Sequence, residues 1–219
     1  MSIKELNNIY AFGYGLFIYS PDTFNRWMQE KKCRAKKMLS YLDKHKDMFL
    51  EMIAKGIALP IYQIPAYRYP ILITTEESIN IPAEWEEVFR YEDWFITIGT
   101  DDKLCFSSFE FFEEHRDLIA KSQCVFMGEV FDINDSPHSF YHSDEIQMTK
   151  GNYRFDIYGL KRKHPYSETD RENCNKNYAY LFAFRKVNND SNENLERCDN
   201  DTHIFSIEQC LEEVHNKER

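Results

Sequence analysis

The sequence predicts an α+β fold with a helical amino-terminal segment, a mainly antiparallel β body and a carboxy-terminal helix. Three observations carry this. Apolar residues at helical spacing fill residues 20–56, short aromatic and β-branched runs bounded by turn residues follow Ile57, and a capped amphipathic segment begins at Ser206. The strand spacings are short and irregular, unlike the regular alternation of strands and helices in a doubly wound parallel sheet. With 219 residues, 42% of them hydrophobic, the chain can bury a substantial core. No repeat and no Gly/Ser- or Pro-rich linker divides it, so residues 1–219 read as one domain, with 20–56 a helical subregion and 57–219 the β-rich body.

In chain order, Tyr10 to Tyr19 is aromatic and apolar and reads as one strand. Ser20 and Pro21 then suit an N-cap and a first helical residue, and Phe24, Trp27 and Met28 follow at i, i+3, i+4. Met38, Leu39, Leu42, Phe49, Leu50 and Ile53 predict one bent helix or a helix pair, closed by Gly56. Strands are expected at 68–75, 94–99, 103–108, 124–131, 153–160 and 178–187, with Thr100-Asp101-Asp102 as a hairpin turn. Helices are expected at 109–120 and 206–217. The second has a capping-box pattern at Ser206 and Gln209 and an apolar stripe at Ile207, Cys210, Leu211 and Val214. The polar segment 188–201 reads as a surface loop.

The formal charge is −10. Nucleic-acid binding draws its affinity from clustered Lys and Arg that release counterions, so this balance argues against a nucleic-acid partner and for a basic protein partner. Residues 22–55 are the exception, with nine Lys or Arg against five Asp or Glu; Lys31, Lys32, Lys36 and Lys37 read as a solvated helix face. The amino terminus lacks the unbroken apolar stretch of an export signal, and no membrane span is evident, so a cytoplasmic location is expected. In that compartment the six cysteines are expected as reduced thiols, and the Asn-x-Ser/Thr matches at Asn134, Asn189 and Asn200 as chance occurrences.

Little of the sequence is catalytic in pattern. The seven glycines form neither a P-loop nor a dinucleotide fingerprint, and no G-x-S-x-G, H-E-x-x-H or kinase signature occurs. Asp132, Asp135, His138, His142, Asp144 and Glu145 are the densest ligand-like group, but Pro137 and the Asn, Asp and Ser content read as a solvated loop. Cys105 and Cys124 lie in apolar runs and read as core, while Cys174, Cys198 and His203 are too widely spaced for a zinc motif. No catalytic residue, metal site or cofactor is therefore expected. Paired carboxylates interleaved with rings suggest instead an acidic recognition surface, with Glu86, Glu87, Glu92, Asp93, Asp101, Asp102, Glu113, Glu114, Asp144 and Glu145 as candidate partner-binding residues. Most of the rings in these stretches are expected to face the core.

Gly151-Asn152-Tyr153-Arg154-Phe155, running on to Leu160-Lys161-Arg162-Lys163, resembles a G-x-Y-R strand motif of acidic bacterial immunity proteins, the inhibitors that accompany polymorphic or secreted toxins of type VI and contact-dependent systems. The segment Glu84 to Gly99 is similar to their companion strand region, and the likeness spans about residues 84 to 187. It implies a protein without catalysis of its own that binds a cognate toxin and occludes its active site. The helical region before residue 57 has no counterpart in it. Two other readings stand beside it: a metal-dependent hydrolase built on Asp132 to Glu145, and a regulatory or scaffold protein using the basic helical face for one partner and the acidic body for another.

Overall fold

The protein was analysed as a computed structural model that describes residues 3–76, 78–131, 137–170, 173–188, 194 and 203–217. In order, the elements are β1 (Lys4–Glu5), β2 (Ile9–Tyr10), β3 (Gly15–Tyr19), α1 (Pro21–Glu30), α2 (Met38–Lys44), α3 (Lys46–Ala54), β4 (Ala58–Tyr62), β5 (Arg68–Tyr69) and β6 (Ile71–Thr74). There follow β7 (Trp85–Ile98), β8 (Lys103–Ser108), α4 (Phe109–Glu114), α5 (Arg116–Ala120), β9 (Phe126–Phe131), β10 (Pro137–Gln147), β11 (Gly151–Arg162), β12 (Tyr178–Val187) and α6 (Ile207–Lys217). The fold is α+β. One sheet runs β1-β6-β12-β11-β7; the other runs β4-β3-β8-β10-β2-β5, with β9 paired to β10. Among the described residues only β12 with β6 and β10 with β2 pair in parallel.

The two sheets face each other across a shared core. Leu16, Ile18, Leu104 and Phe106 of the second sheet meet Ile96, Ile98, Phe155, Ile157, Phe182 and Phe184 of the first. Phe17, Tyr19 and Cys105 alternate to the other face of the second sheet, where the helices cover them with Phe24, Trp27, Met38, Leu42, Met52, Phe111 and Phe112. Burial on both faces is why β3 reads as an unbroken apolar run. On the outer face of the first sheet, Leu72, Tyr158, Leu160 and Leu181 pack with Trp85, Ile79 and Ile81.

Several sequence expectations are corrected. The run Tyr10 to Tyr19 breaks into β2 and β3 because Gly13 and Tyr14 both take positive φ, at 80° and 61°; a side chain at Gly13 would also meet the Phe109 Cβ at 2.9 Å. Pro70 splits 68–75 so that β5 joins one sheet and β6 the other. Thr100 to Asp102 joins β7 to β8 in different sheets, so it is an inter-sheet turn and not a hairpin. Segment 109–120 is two helices, hinged at His115. Strand β4 and the first half of β7 had no expected strand. Residues 137–147, read as loop, form β10: Pro137 is its first residue, where a missing N–H costs no ladder bond.

The helix pair α2 and α3 and the final helix follow the sequence closely. Gly56 closes α3 at φ 58°, and the Ser206 Oγ accepts from the Gln209 N–H at 3.3 Å. Ser20 stands at the start of α1 without capping it by its side chain. Instead it donates to Asp101 at 3.3 Å, and Asp101 accepts the Asp22 N–H at 3.2 Å. Helix α6 closes one end of the sandwich, with Cys210 and Leu211 on the core, while the Tyr180 and Tyr91 hydroxyls donate to the Phe205 and Ile204 carbonyls. None of the described helices is long and apolar enough to cross a membrane.

Candidate partner-binding surfaces

Strand β7 is the outer edge of the first sheet and exposes Glu86, Glu87, Glu92 and Asp93. Its largest rings are buried, Trp85 on the outer face of the sheet and Phe89 and Trp94 in the shared core. Opposite Asp156 the register with β11 slips, and Asp93 takes φ 65° in the resulting bulge. Asp156 sits in that bulge with its side chain 5% exposed, accepting from the Asp93 N–H at 2.9 Å, Arg90 at 2.8 Å and Arg185 at 3.1 Å. Burial alone would raise its pKa, but these three donors outweigh it and hold the carboxyl below its ordinary range. Arg185 also binds the Asp93 carboxylate at 2.6 Å, and Arg154 donates to the Asp93 carbonyl at 2.9 Å. Arg154 of the G-N-Y-R-F segment thus braces the bulge, while Tyr153 and Phe155 fill the core.

Glu92 pairs with Arg90 at 2.9 Å and Glu86 with Lys161 at 3.5 Å. Exposed pairs of this kind contribute about 0–1 kcal/mol, so exchanging them for cations of a partner costs little. The other candidate carboxylates are committed to the fold. Asp101 ties α1 to the β7–β8 turn and accepts from Ser122 at 3.1 Å; Asp102 accepts the Lys150 N–H. Glu113 accepts the Leu39 N–H at 2.6 Å and the Ser40 hydroxyl at 2.6 Å, capping α2 from outside, and Glu114 pairs with Lys37. Asp144 is buried and accepts the Asn7 N–H at 2.9 Å, and Glu145 pairs with Lys103 at 2.8 Å.

The second sheet has an edge of different chemistry. Among the described residues strand β9 pairs only with β10, and next to and within it Val125 and Met127 are 56% and 51% exposed. Two residues apart, they share one side of the strand. The opposite side is aromatic: Phe126 lies against His115 and His142, with centroids at 4.4 and 5.6 Å, and Phe12 stacks on His142 at 4.6 Å. Tyr10 stacks on Phe12 at 4.1 Å, and Arg68 covers Phe140 at 4.2 Å. Gly128 leaves room for this arrangement, since a Cβ there would lie 2.4 Å from the His142 Nε2. Burial pushes the His142 pKa down. An edge with unpaired backbone groups and exposed apolar side chains is a template for pairing with another chain. The sequence run 124–131 predicts this strand, but its exposure depends on the pairing with β10, whose Pro, Ser and Asp content has the pattern of a loop.

The ligand-like group at 132–145 does not assemble where it is described. Asp132 and Asp135 lie outside the described residues, as does the His138 side chain; His142, Asp144 and Glu145 go to Phe12, Asn7 and Lys103 respectively. Cys198, Asn134, Asn189 and Asn200 also lie outside them, with most of 188–201. Asn194 is described and buried: it accepts the Phe95 N–H at 2.7 Å and donates to the Phe95 and Ile53 carbonyls at 2.9 Å each. His203 lies edge-on to Tyr91 and Trp94. Among the described residues, one group of three ligand-type side chains converges: Cys105, Cys124 and Glu145, with ligand atoms within 4.8 Å of one another.

No family model and no curated protein matches the chain. Among solved structures it is similar to ComJ from Bacillus subtilis, described as an inhibitor of the DNA-degrading activity of NucA. The likeness covers 85% of this chain and 96% of that one, at 10% identity and a TM-score of 0.37, a level that carries no argument about this chain.

Proposed function

We propose that the chain is a stoichiometric inhibitor that binds a cognate toxin or effector with a basic surface and occludes its active site, without catalysis of its own. The observation that carries this reading is the β9 edge, where Val125 and Met127 stand exposed on a strand that, among the described residues, pairs on one side alone, in a chain of charge −10. Strand addition at such an edge supplies short-range affinity, and the acidic body speeds encounter with a basic partner. An enzyme that acts on a phosphate-bearing substrate presents a basic cleft, and exposed carboxylates can occupy it in place of the substrate. Glu86, Glu87 and Glu92 are the candidate carboxylates for that role, since all three are exposed and the pairs of Glu86 and Glu92 are weak.

The test is to recover the untagged chain from its native lysate at low and moderate salt, identify an equimolar basic protein, and titrate that protein's own enzymatic activity with the purified chain. A linear fall in activity that ends at a 1:1 ratio is expected. Activity that persists at a several-fold excess of the chain overturns the reading.

A further inference from the structure

We propose that Cys105, Cys124 and Glu145 form a binding site for a thiophilic divalent cation of the zinc class, with solvent as the fourth ligand. The site is independent of the inhibitor reading. Cys105 lies in the middle of β8, Glu145 is its Cα partner on β10, and Cys124 is supplied by the segment entering β9. Two ligands therefore come from paired interior strands of one sheet, which fixes their separation. The three ligand atoms lie within 4.8 Å of one another. Tetrahedral zinc with Zn–S bonds of about 2.3 Å holds its sulfurs about 3.8 Å apart, so a movement of about 1 Å closes the set.

Access and charge support the same assignment. An open cleft of about 470 Å³ is lined by Lys103, Ser122, Cys124, Phe126 and Glu145, which gives water and cation a route to Cys124 and Glu145. With both thiols protonated the metal-free group is neutral overall, because Lys103 offsets Glu145 at 2.8 Å. Entry of a dication with loss of two thiol protons to solvent leaves that balance unchanged. The Tyr19 Oη, 3.9 Å from the Cys124 Sγ, is placed to donate to the resulting thiolate, the kind of outer hydrogen bond that tunes metal sites. Two cysteines that are simply core residues need neither a carboxylate across the strand pair nor an opening to solvent.

The experiment uses the full chain, reduced, with Co²⁺ as the optical probe and Zn²⁺ as competitor. One equivalent of Co²⁺ should give a thiolate-to-cobalt charge-transfer band and tetrahedral d–d bands, both removed by one equivalent of Zn²⁺. Cys105→Ser and Cys124→Ser should each weaken binding beyond the about 10–100-fold typical of outer-sphere changes. Glu145→Gln keeps both thiols and the packing around them, so it tests the site even if a cysteine variant fails to fold; it should weaken binding and shift the d–d bands. The triple variant Cys33→Ser/Cys174→Ser/Cys198→Ser should bind as the parent does. The proposal is overturned if the reduced protein takes up no stoichiometric metal, if the band survives Glu145→Gln unchanged, if it follows the triple variant, or if peptide mapping finds a Cys105–Cys124 disulfide in a chain that takes up no metal when reduced.

Discussion

Strand β7 closes the first sheet with carboxylates, whereas β9 closes the second with aliphatic side chains, and the two edges are protected to very different degrees. Along β7 the bulge at Asp93, the paired charges of Glu86 and Glu92 and the bonds from Asn194 to Phe95 are the devices by which edge strands avoid pairing with other chains. Strand β9 and its approach have Val125 and Met127 outward and, among their described exposed residues, Glu129 as the one carboxylate. The difference separates two roles that the composition merges. The acidic residues set the long-range field and much of the internal bracing, while the surface most suited to intimate contact exposes Val125 and Met127.

The largest expected effect comes from breaking the bracing on the β7 side. Asp156→Asn removes the buried carboxylate that Arg90 and Arg185 bind and, because both guanidinium groups remain open to solvent, should cost about 1–3 kcal/mol, read as a lower urea midpoint. The same carboxyl sets an acid limit. Its folded pKa is depressed, so its contribution is complete above the unfolded value of about 3.9 and is lost as pH falls through the lower folded value. Asp156→Asn should therefore flatten the loss of stability below about pH 4; an unchanged acid profile would show that other carboxyls govern it.

Why one edge was legible in the sequence and the other was not follows from how each is built. The interior strands β8 and β12 match the expected runs 103–108 and 178–187 because their residues are buried on both faces and read as apolar without interruption. The first half of β7 was missed because its glutamates face water and a bulge breaks its alternation. Strand β10 was missed because Pro137, Ser139, Ser143 and Asp144 imitate a loop, although the Asp144 carboxylate is consumed by Asn7 and the Ser143 hydroxyl by the Phe106 carbonyl. The acidic and aromatic clustering was visible, but not which carboxylates are spent on caps and turns. That depends on contacts such as Glu113 with Leu39, 74 positions apart. The convergence of Cys105 with Cys124 and Glu145 is equally non-local and has no sequence signature.

On the β9 side, Met127→Asp places a charge where the proposed strand addition occurs. Partner affinity should fall by about 2 kcal/mol, roughly 30-fold, while folding stability changes by no more than about 0.5 kcal/mol because the residue is exposed. Calorimetric titration against the captured partner, beside a thermal melt, separates the two. Full affinity in the variant would remove β9 from the interface and leave the β7 side as the remaining candidate. Reversing Glu86, Glu87 and Glu92 together to Lys should act differently: association slows by about tenfold at low salt and loses its salt dependence, with dissociation little changed. A change confined to dissociation would place these glutamates inside the contact.

The smallest expected effect is a pH dependence seated in the aromatic side of the ribbon. Burial pushes the His142 pKa below its ordinary value; Glu110 opposes that shift and His115 adds to it, and the ring lies between Phe12 and Phe126. The folded state therefore favours the neutral imidazole. Its contribution is complete above the unfolded pKa of about 6.5 and declines as pH falls from there toward the depressed folded value. Stability measured by urea at pH 7.5 and 5.5 should differ in the parent by more than in His142→Phe, which keeps the stack on Phe12 but cannot take up a proton. Gly128 makes the assignment specific, because Gly128→Ala would push a methyl group into the His142 Nε2 and should reduce stability at both pH values. An equal pH response in His142→Phe would move the titrating group elsewhere.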